Sequence, residues 1–411
     1  MVFLNPHARR TVYPAELALL LNRARARESW QWLSRWPGVA PDPTPLYPLP
    51  GLARSLGIAA LCVKDESVRS PLGSFKALGA PIALVRHLLR LHPDFEPLGI
   101  LAGRHAESLR DHTVISATDG NHGRALAAAA QAAGCRCVIV LHAQVSPERE
   151  QAIADLGARI VRVAGDYDHS VQHAARLAQD HGWQVVSDTS YEGYEEIPRD
   201  VMQGYAIIAE EVFEQTLARP GEAGAFTHVL VQGGVGGLAA GVVSGFWEFQ
   251  GAQRPWLVVV EPAQADCLLQ SAIQGRPARA TGSVDSVMAG LACGETSPLA
   301  WRFLQPGVDA FMTVDDDAAV QAMGALARGS TLDIPVLAGE SGVAGLAALR
   351  ALQDDPQAAA RIGLTPASRV LLISTEGATA PDTYARLVGE SASSVLRRQA
   401  AWRASPEGAA A

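Results

Sequence analysis

Five short apolar runs, rich in β-branched residues, recur along the chain at residues 138–141, 160–163, 228–231, 257–260 and 370–373. Their nearly continuous apolar character predicts strands buried on both faces rather than half-exposed ones. Between them the period changes. Val201, Tyr205, Ile208 and Val212, spaced four, three and four apart, fall on one side of a helix. A second helical stretch, alanine-rich, runs from Arg124 to Ala133 and stops at Gly134, where a helix C-terminus favours glycine. Strands alternating with helices predict an α/β protein whose parallel sheet is covered by helices. The first forty residues and the tail after Ser393 show no strand pattern, and the end of the tail is expected to fray. With no internal repeat and no low-complexity linker, the domains are expected to interleave rather than follow one another.

Composition narrows the class. A chain of 411 residues with 48% hydrophobic and 18% charged content is too apolar for disorder and long enough for two packed cores. Its net charge of -8, without a long basic run, argues against nucleic-acid or anionic-membrane partners. No apolar stretch is long enough to span a bilayer, and the N-terminus lacks the apolar core of a signal peptide, so a cytoplasmic enzyme is expected. Five cysteines make no disulfide framework here. Cys135 and Cys137 lack the two-residue spacer common in zinc or redox pairs, and no metal site is expected.

Four segments carry candidate chemistry. Lys64 and Lys76 are the only lysines, and Lys76 closes the string Gly73-Ser74-Phe75-Lys76 at the entrance of an apolar helical segment. A desolvated lysine is a nucleophile toward carbonyls, whereas a lysine capping a surface helix would look the same. Thr118-Asp119-Gly120-Asn121-His122-Gly123 lies between an apolar strand and the alanine-rich helix. There the free N–H groups of a helix start suit an anion such as a carboxylate, although a plain capping turn has similar residues. Gly233-Gly234-Val235-Gly236-Gly237 follows the strand at 228–231 and suits a phosphate. It also fits a dinucleotide fingerprint, with Glu261 standing where a ribose-binding acid would be, so the loop by itself leaves the cofactor open. Ser374 and Thr375 end the last strand, where ligands bind in open α/β sheets.

Together these strings resemble the pyridoxal-phosphate (PLP) enzymes of fold type II, the tryptophan-synthase-like family. Within it the chain is similar to the diaminopropionate ammonia-lyases, through Asp119 before Gly120-Asn121 and through Asp188-Thr189-Ser190-Tyr191-Glu192-Gly193, Met202-Gln203-Gly204-Tyr205 and Gly339-Glu340-Ser341-Gly342. The likeness runs from about Lys64 to Tyr384. It implies two interleaved α/β domains: a large PLP-binding one at 1–84 and 196–395, and a small substrate-binding one at 85–195. Residues 396–411 are left as a tail. It makes Lys76 the lysine that carries PLP, Asn121 the contact to the ring oxygen, Gly233, Gly234, Val235, Gly236 and Gly237 the phosphate cradle, and Ser374 or Thr375 the partner of the pyridine nitrogen. Thr118, Asp119, Gly120, His122 and Asp188 become substrate contacts, with Lys76, Asp119 and Asp188 catalytic. The implied reaction is β-elimination of 2,3-diaminopropionate to pyruvate and two ammonia molecules by a cytoplasmic homodimer. A serine or threonine dehydratase, a β-replacing synthase of the same fold, or a nicotinamide-dependent oxidoreductase are the rival expectations.

Overall fold

The computed structural model describes residues 1–118, 120–143, 145–165, 167–217 and 226–405. Among them eleven strands form two sheets: β1 (Val2–Leu4), β2 (Leu46–Pro48), β3 (Ala60–Asp65), β4 (Thr113–Ala117), β5 (Arg136–His142), β6 (Arg159–Val163), β7 (Gln184–Val185), β8 (His228–Gln232), β9 (Trp256–Pro262), β10 (Ala310–Val314) and β11 (Arg369–Ser374). The larger sheet has the order β1-β10-β9-β8-β11-β3-β2, and the smaller β6-β5-β4-β7. All inner pairings are parallel; only the edge strands β1 and β2 run antiparallel to their neighbours.

All five predicted runs are strands, and the reason is visible in the packing. Val229, Val231, Leu257, Val259, Leu371 and Ile373 enter one apolar cluster, while Leu230, Val258, Val260, Val370 and Leu372 enter another on the opposite face. A period of two thus divides β8, β9 and β11 between two cores; β6 departs from the expectation of burial on both faces, since Arg162 is exposed and the strand is only partly covered. The first cluster continues into the smaller sheet through Val114, Ile139 and Leu141, so the two sheets share a core.

The alanine-rich helix is Asn121–Ala133, closed by Gly134 in the left-handed conformation at φ 83°. Val201, Tyr205, Ile208 and Val212 are all buried as expected, but on two helices, Glu196–Tyr205 and Ile207–Leu217, separated at Ala206. The N-terminal forty residues are not devoid of strand: β1 pairs with β10, and three residues are too few to show a period. At the other end Ala392–Arg403 is a helix anchored by buried Val395 and Gln399, while the expectation of fraying concerns 406–411, outside the described residues. Among the described residues no helix is long and apolar enough to cross a membrane.

Candidate active site

The segment before Lys76 is stitched to the end of β11. Phe75 N donates to Thr375 O at 3.0 Å, Gly377 N donates to Gly73 O at 2.9 Å, and Ser74 bridges Glu376 in antiparallel fashion. Lys76 therefore opens the helix Lys76–Leu91 beside Ser374 and Thr375, although about 300 residues separate them in sequence. Its ammonium donates to Asp188, and both side chains are 18% exposed, within reach of a small ligand. Burial opposes the lysine's charge, but Asp188 outweighs it and holds the ammonium above its ordinary range. Burial likewise disfavours the carboxylate, and Lys76 overrides it, keeping Asp188 ionised well below the usual range.

Lys64 is committed elsewhere. Fully buried, it donates to Glu211 at 2.6 Å, to Thr44 O at 2.6 Å and to Gln215 at 3.0 Å, within a network that includes Arg69 and Glu66. An ammonium with three acceptors has no hydrogen left to exchange for a ligand.

His122 joins the Lys76–Asp188 pair. Its Nε2 lies 2.9 Å from Val186 O, which can only accept, so the proton sits on Nε2 and an enclosed Nδ1 lone pair faces Asp188 Oδ2 at 3.8 Å. Burial keeps this imidazole neutral, pushing it below its ordinary value. Thr118 Oγ1 accepts from Gly120 N at 3.3 Å, and Asn121 Nδ2 donates to Glu376 Oε2 at 2.5 Å. Asp119, singled out in sequence, lies outside the described residues.

Past β8 the chain turns through Gly234 at φ 66° and Gly236 at φ 100° into the helix Gly237–Gln250, whose start is capped by no side chain. The loop is packed from behind: a Cβ on Gly236 would stand 2.9 Å from Leu304 Cδ1, and one on Gly233 2.5 Å from Glu261 Cγ. The Cβ direction of Gly237 looks toward Asp188 O at 3.6 Å, which brings this helix start to the Lys76–Asp188 pair. Glu261, the candidate ribose acid, is spent as a cap: its carboxylate accepts from Leu268 N at 2.9 Å and Leu269 N at 2.8 Å. That removes the main support for a dinucleotide.

The residues suit a phosphorylated pyridine aldehyde. An uncapped helix start with left-handed glycines takes a phosphate, and Lys76 borders the same space. Ser374 Oγ is enclosed without a hydrogen-bond partner, the condition of a hydroxyl waiting for a ring nitrogen. Thr375 is buried beside it, with its backbone oxygen already used by Phe75.

Sequence reasoning passed over Glu340 and Arg149. Glu340 is 2% exposed, Arg149 Nη2 stands 3.6 Å from its Oε1, and Glu376 lies close by. Arg149 comes from the helix Pro147–Ala154 of the small-sheet region, so the pair spans from one sheet region to the other. Burial first, and Glu376 second, push the Glu340 carboxyl up to about 7. A folded-state value raised above the unfolded one gives stability that is full below about 4.5 and is lost as pH rises through about 7. The loss is on the order of 3 kcal/mol. Glu340→Gln should therefore melt with a smaller drop between pH 5 and pH 8 than the wild type; an unchanged drop would refute this. The one sequence signal was the acid's place in Gly339-Glu340-Ser341-Gly342.

Comparison with known proteins bears on the same residues. The family model described as "Pyridoxal-phosphate dependent enzyme" matches residues 39–376. The diaminopropionate ammonia-lyase of Escherichia coli (strain K12) is 37% identical over 383 residues, covering 92% of this chain and 94% of that protein. The holo crystal structure of the Escherichia coli diaminopropionate ammonia lyase superposes with a TM-score of 0.85 at 34% identity, covering 94% of this chain and 96% of that one. The same enzyme with an aminoacrylate-PLP azomethine reaction intermediate gives 0.83 at 35% identity, with the same coverage. With its parallel sheets, its glycine loop and a family match across most of its length, the chain belongs to the pyridoxal-phosphate dependent enzymes of fold type II, and pyridoxal phosphate is its cofactor.

Proposed function

We propose that this chain is a carbon–nitrogen lyase that converts 2,3-diaminopropionate, with one water, to pyruvate and two ammonia molecules. The observation that carries the reading is Asp188, an ionised and largely buried carboxylate that already holds an ammonium, that of Lys76. A substrate with a second ammonium is the natural competitor for that position. An acid left unpaired is costly, so a hydroxyl in its place is discriminated against. The relatives named above support the same choice over a serine or threonine dehydratase.

PLP, when bound, supplies a carbonyl for the substrate's α-amine and a ring that spreads charge after the α-proton leaves. The chain supplies the rest. Gly233, Gly234, Val235, Gly236 and Gly237 would hold the phosphate with backbone N–H groups, Asn121 would meet the ring oxygen, and Ser374 rather than Thr375 would meet the pyridine nitrogen. A neutral hydroxyl there leaves that nitrogen unprotonated. With PLP bound, Lys76 would take the α-proton from one enantiomer, and Asp119 from the other. Thr118 and Gly120 line the substrate's carboxylate side, His122 meets the substrate beside Asp188, and Asp188 binds the β-ammonium until it leaves as ammonia. The same reading divides the chain into a large unit, 1–84 and 196–395, and a small one, 85–195, and makes the enzyme a cytoplasmic homodimer.

Purified protein incubated with each enantiomer of diaminopropionate, and with serine and threonine as controls, tests the assignment. Pyruvate should form fastest from diaminopropionate. Asp188→Asn should lose about tenfold or more in selectivity for diaminopropionate over serine, since a charge-assisted hydrogen bond contributes about 1.5–3 kcal/mol. Higher kcat/KM for serine or threonine in the wild type would hand the assignment to a dehydratase.

A further inference from the structure

Tyr205 ends the helix Glu196–Tyr205 with 1% of its surface exposed and its hydroxyl enclosed without a hydrogen-bond partner. Leaving such a group unpaired is costly, and phenylalanine would avoid that cost. The backbone nevertheless makes room for this ring. A Cβ on Gly79 would stand 2.4 Å from Tyr205 Cε1, one on Gly204 2.1 Å from Leu78 O, and one on Gly241 2.8 Å from Met202 O. Gly79 thus leaves the space the ring fills, while Gly204 and Gly241 let the backbones of the three helices approach one another beside it. The ring packs on Phe75 at 4.7 Å, Lys76 Nζ lies 5.7 Å from its centre, and the Cβ direction of Gly237 points to its Cε2 at 3.9 Å. Tyr205 therefore stands between the lysine and the start of the phosphate-suited helix. Burial keeps the phenol protonated, with the Lys76 charge only partly opposing it.

In this structure Lys76 makes its side-chain hydrogen bond to Asp188. Under the function proposed above, on which the following rests, the substrate's second ammonium claims that carboxylate. We propose that Tyr205 is a positioning residue for Lys76: its oxygen accepts an N–H from the freed lysine amine and keeps it away from Asp188. The geometry of an amine makes this useful. A neutral amine has two N–H bonds and one lone pair, and giving one N–H to the phenol leaves the lone pair available for the α-hydrogen. Without that acceptor the amine returns to Asp188, whose charge keeps it protonated and which it then denies to the substrate.

The test is Tyr205→Phe holoenzyme, which keeps the ring and its packing. Pyruvate formation is followed against pH for both enantiomers, along with the visible absorbance of the bound cofactor. For the enantiomer that presents its α-hydrogen to Lys76, kcat at neutral pH should fall about tenfold, the scale of one lost hydrogen bond. The acid limb of its kcat profile should move to higher pH. The other enantiomer should keep its profile, and cofactor content should stay at the wild-type level. Equal losses for both enantiomers with unmoved profiles would reduce Tyr205 to a packing role, and undiminished turnover of both would overturn the proposal. So would loss of cofactor, which would move the hydroxyl's role to holding PLP. A wild-type protein that makes no pyruvate from either enantiomer fails the lyase assignment itself, and this role falls with it.

Discussion

Lys76→Ala is expected to release no pyruvate above background, and to show no visible absorbance that borohydride bleaches. Two independent losses combine. The alanine has no amine to join the cofactor's carbonyl or to accept an α-proton. It also strips Asp188 of the cation that keeps it ionised against burial. Lys76→Arg separates the two effects: a guanidinium keeps Asp188 paired, yet stays protonated under all working conditions and serves neither as nucleophile nor as base. Both variants should therefore be inactive, with the arginine variant melting closer to the wild type. Peptide mapping after borohydride reduction should find the pyridoxyl group on Lys76. A label on Lys64, or activity surviving in Lys76→Ala, would refute the assignment. Lys64, with its three buried acceptors, has no access to a ligand.

Gly236→Asp should weaken PLP binding by about a hundredfold or more. A side chain at φ 100° is strained by about 1–2 kcal/mol. Its Cβ would also stand 2.9 Å from Leu304 Cδ1 and 3.1 Å from Ala300 Cβ, so the loop must move or the helix behind it must yield. The added carboxylate is directed at Leu304, Ala300 and Leu268 behind the loop, so it is either buried among apolar atoms or displaces the turn that offers the helix start to the phosphate. Gly236→Ala carries the strain and the contact without the charge, and should lie between wild type and Gly236→Asp. Titration of apoenzyme with PLP, followed by absorbance, measures all three. A Gly236→Asp protein with wild-type affinity would move the phosphate elsewhere.

These expectations were partly legible in the chain because its central strands are buried twice. In residues 229–231 or 370–373 every position packs into one of two apolar clusters, so the apolar run betrays the strand without any alternation. β10 belongs to the same sheet but reads Ala-Phe-Met-Thr-Val, where two β-branched residues in five do not stand out from a helix. β1 and β2 have three residues each and are strands only because a neighbour's edge is free to pair. In the candidate site, the strings and their order were readable, as was the exceptional position of Lys76. The pairing of Lys76 with Asp188 was not: 112 positions separate them, and only the packing of the two sheet regions brings them together. Tyr205 was read as an apolar position in a helical stripe and as the end of the string Met202-Gln203-Gly204-Tyr205, with no role of its own. A buried ring satisfies that period whatever its hydroxyl borders.

The place of β11 has a consequence for how the enzyme comes into being. Made from residues 369–374, it lies in the interior of the seven-stranded sheet, between β8 and β3, and its end holds the segment that presents Lys76. A nascent chain leaving the ribosome has completed Lys76 about 300 residues before this strand exists. At about 5–20 residues per second the lysine waits roughly 15–60 s for its neighbours. β3 throughout that interval, and β8 once residue 232 has been made, have no partner between them and present an unpaired backbone edge. Cofactor capture is thereby expected to wait until β11 has been made, and a truncated chain lacking β11 would carry the lysine and the glycine loop without the strand that joins them.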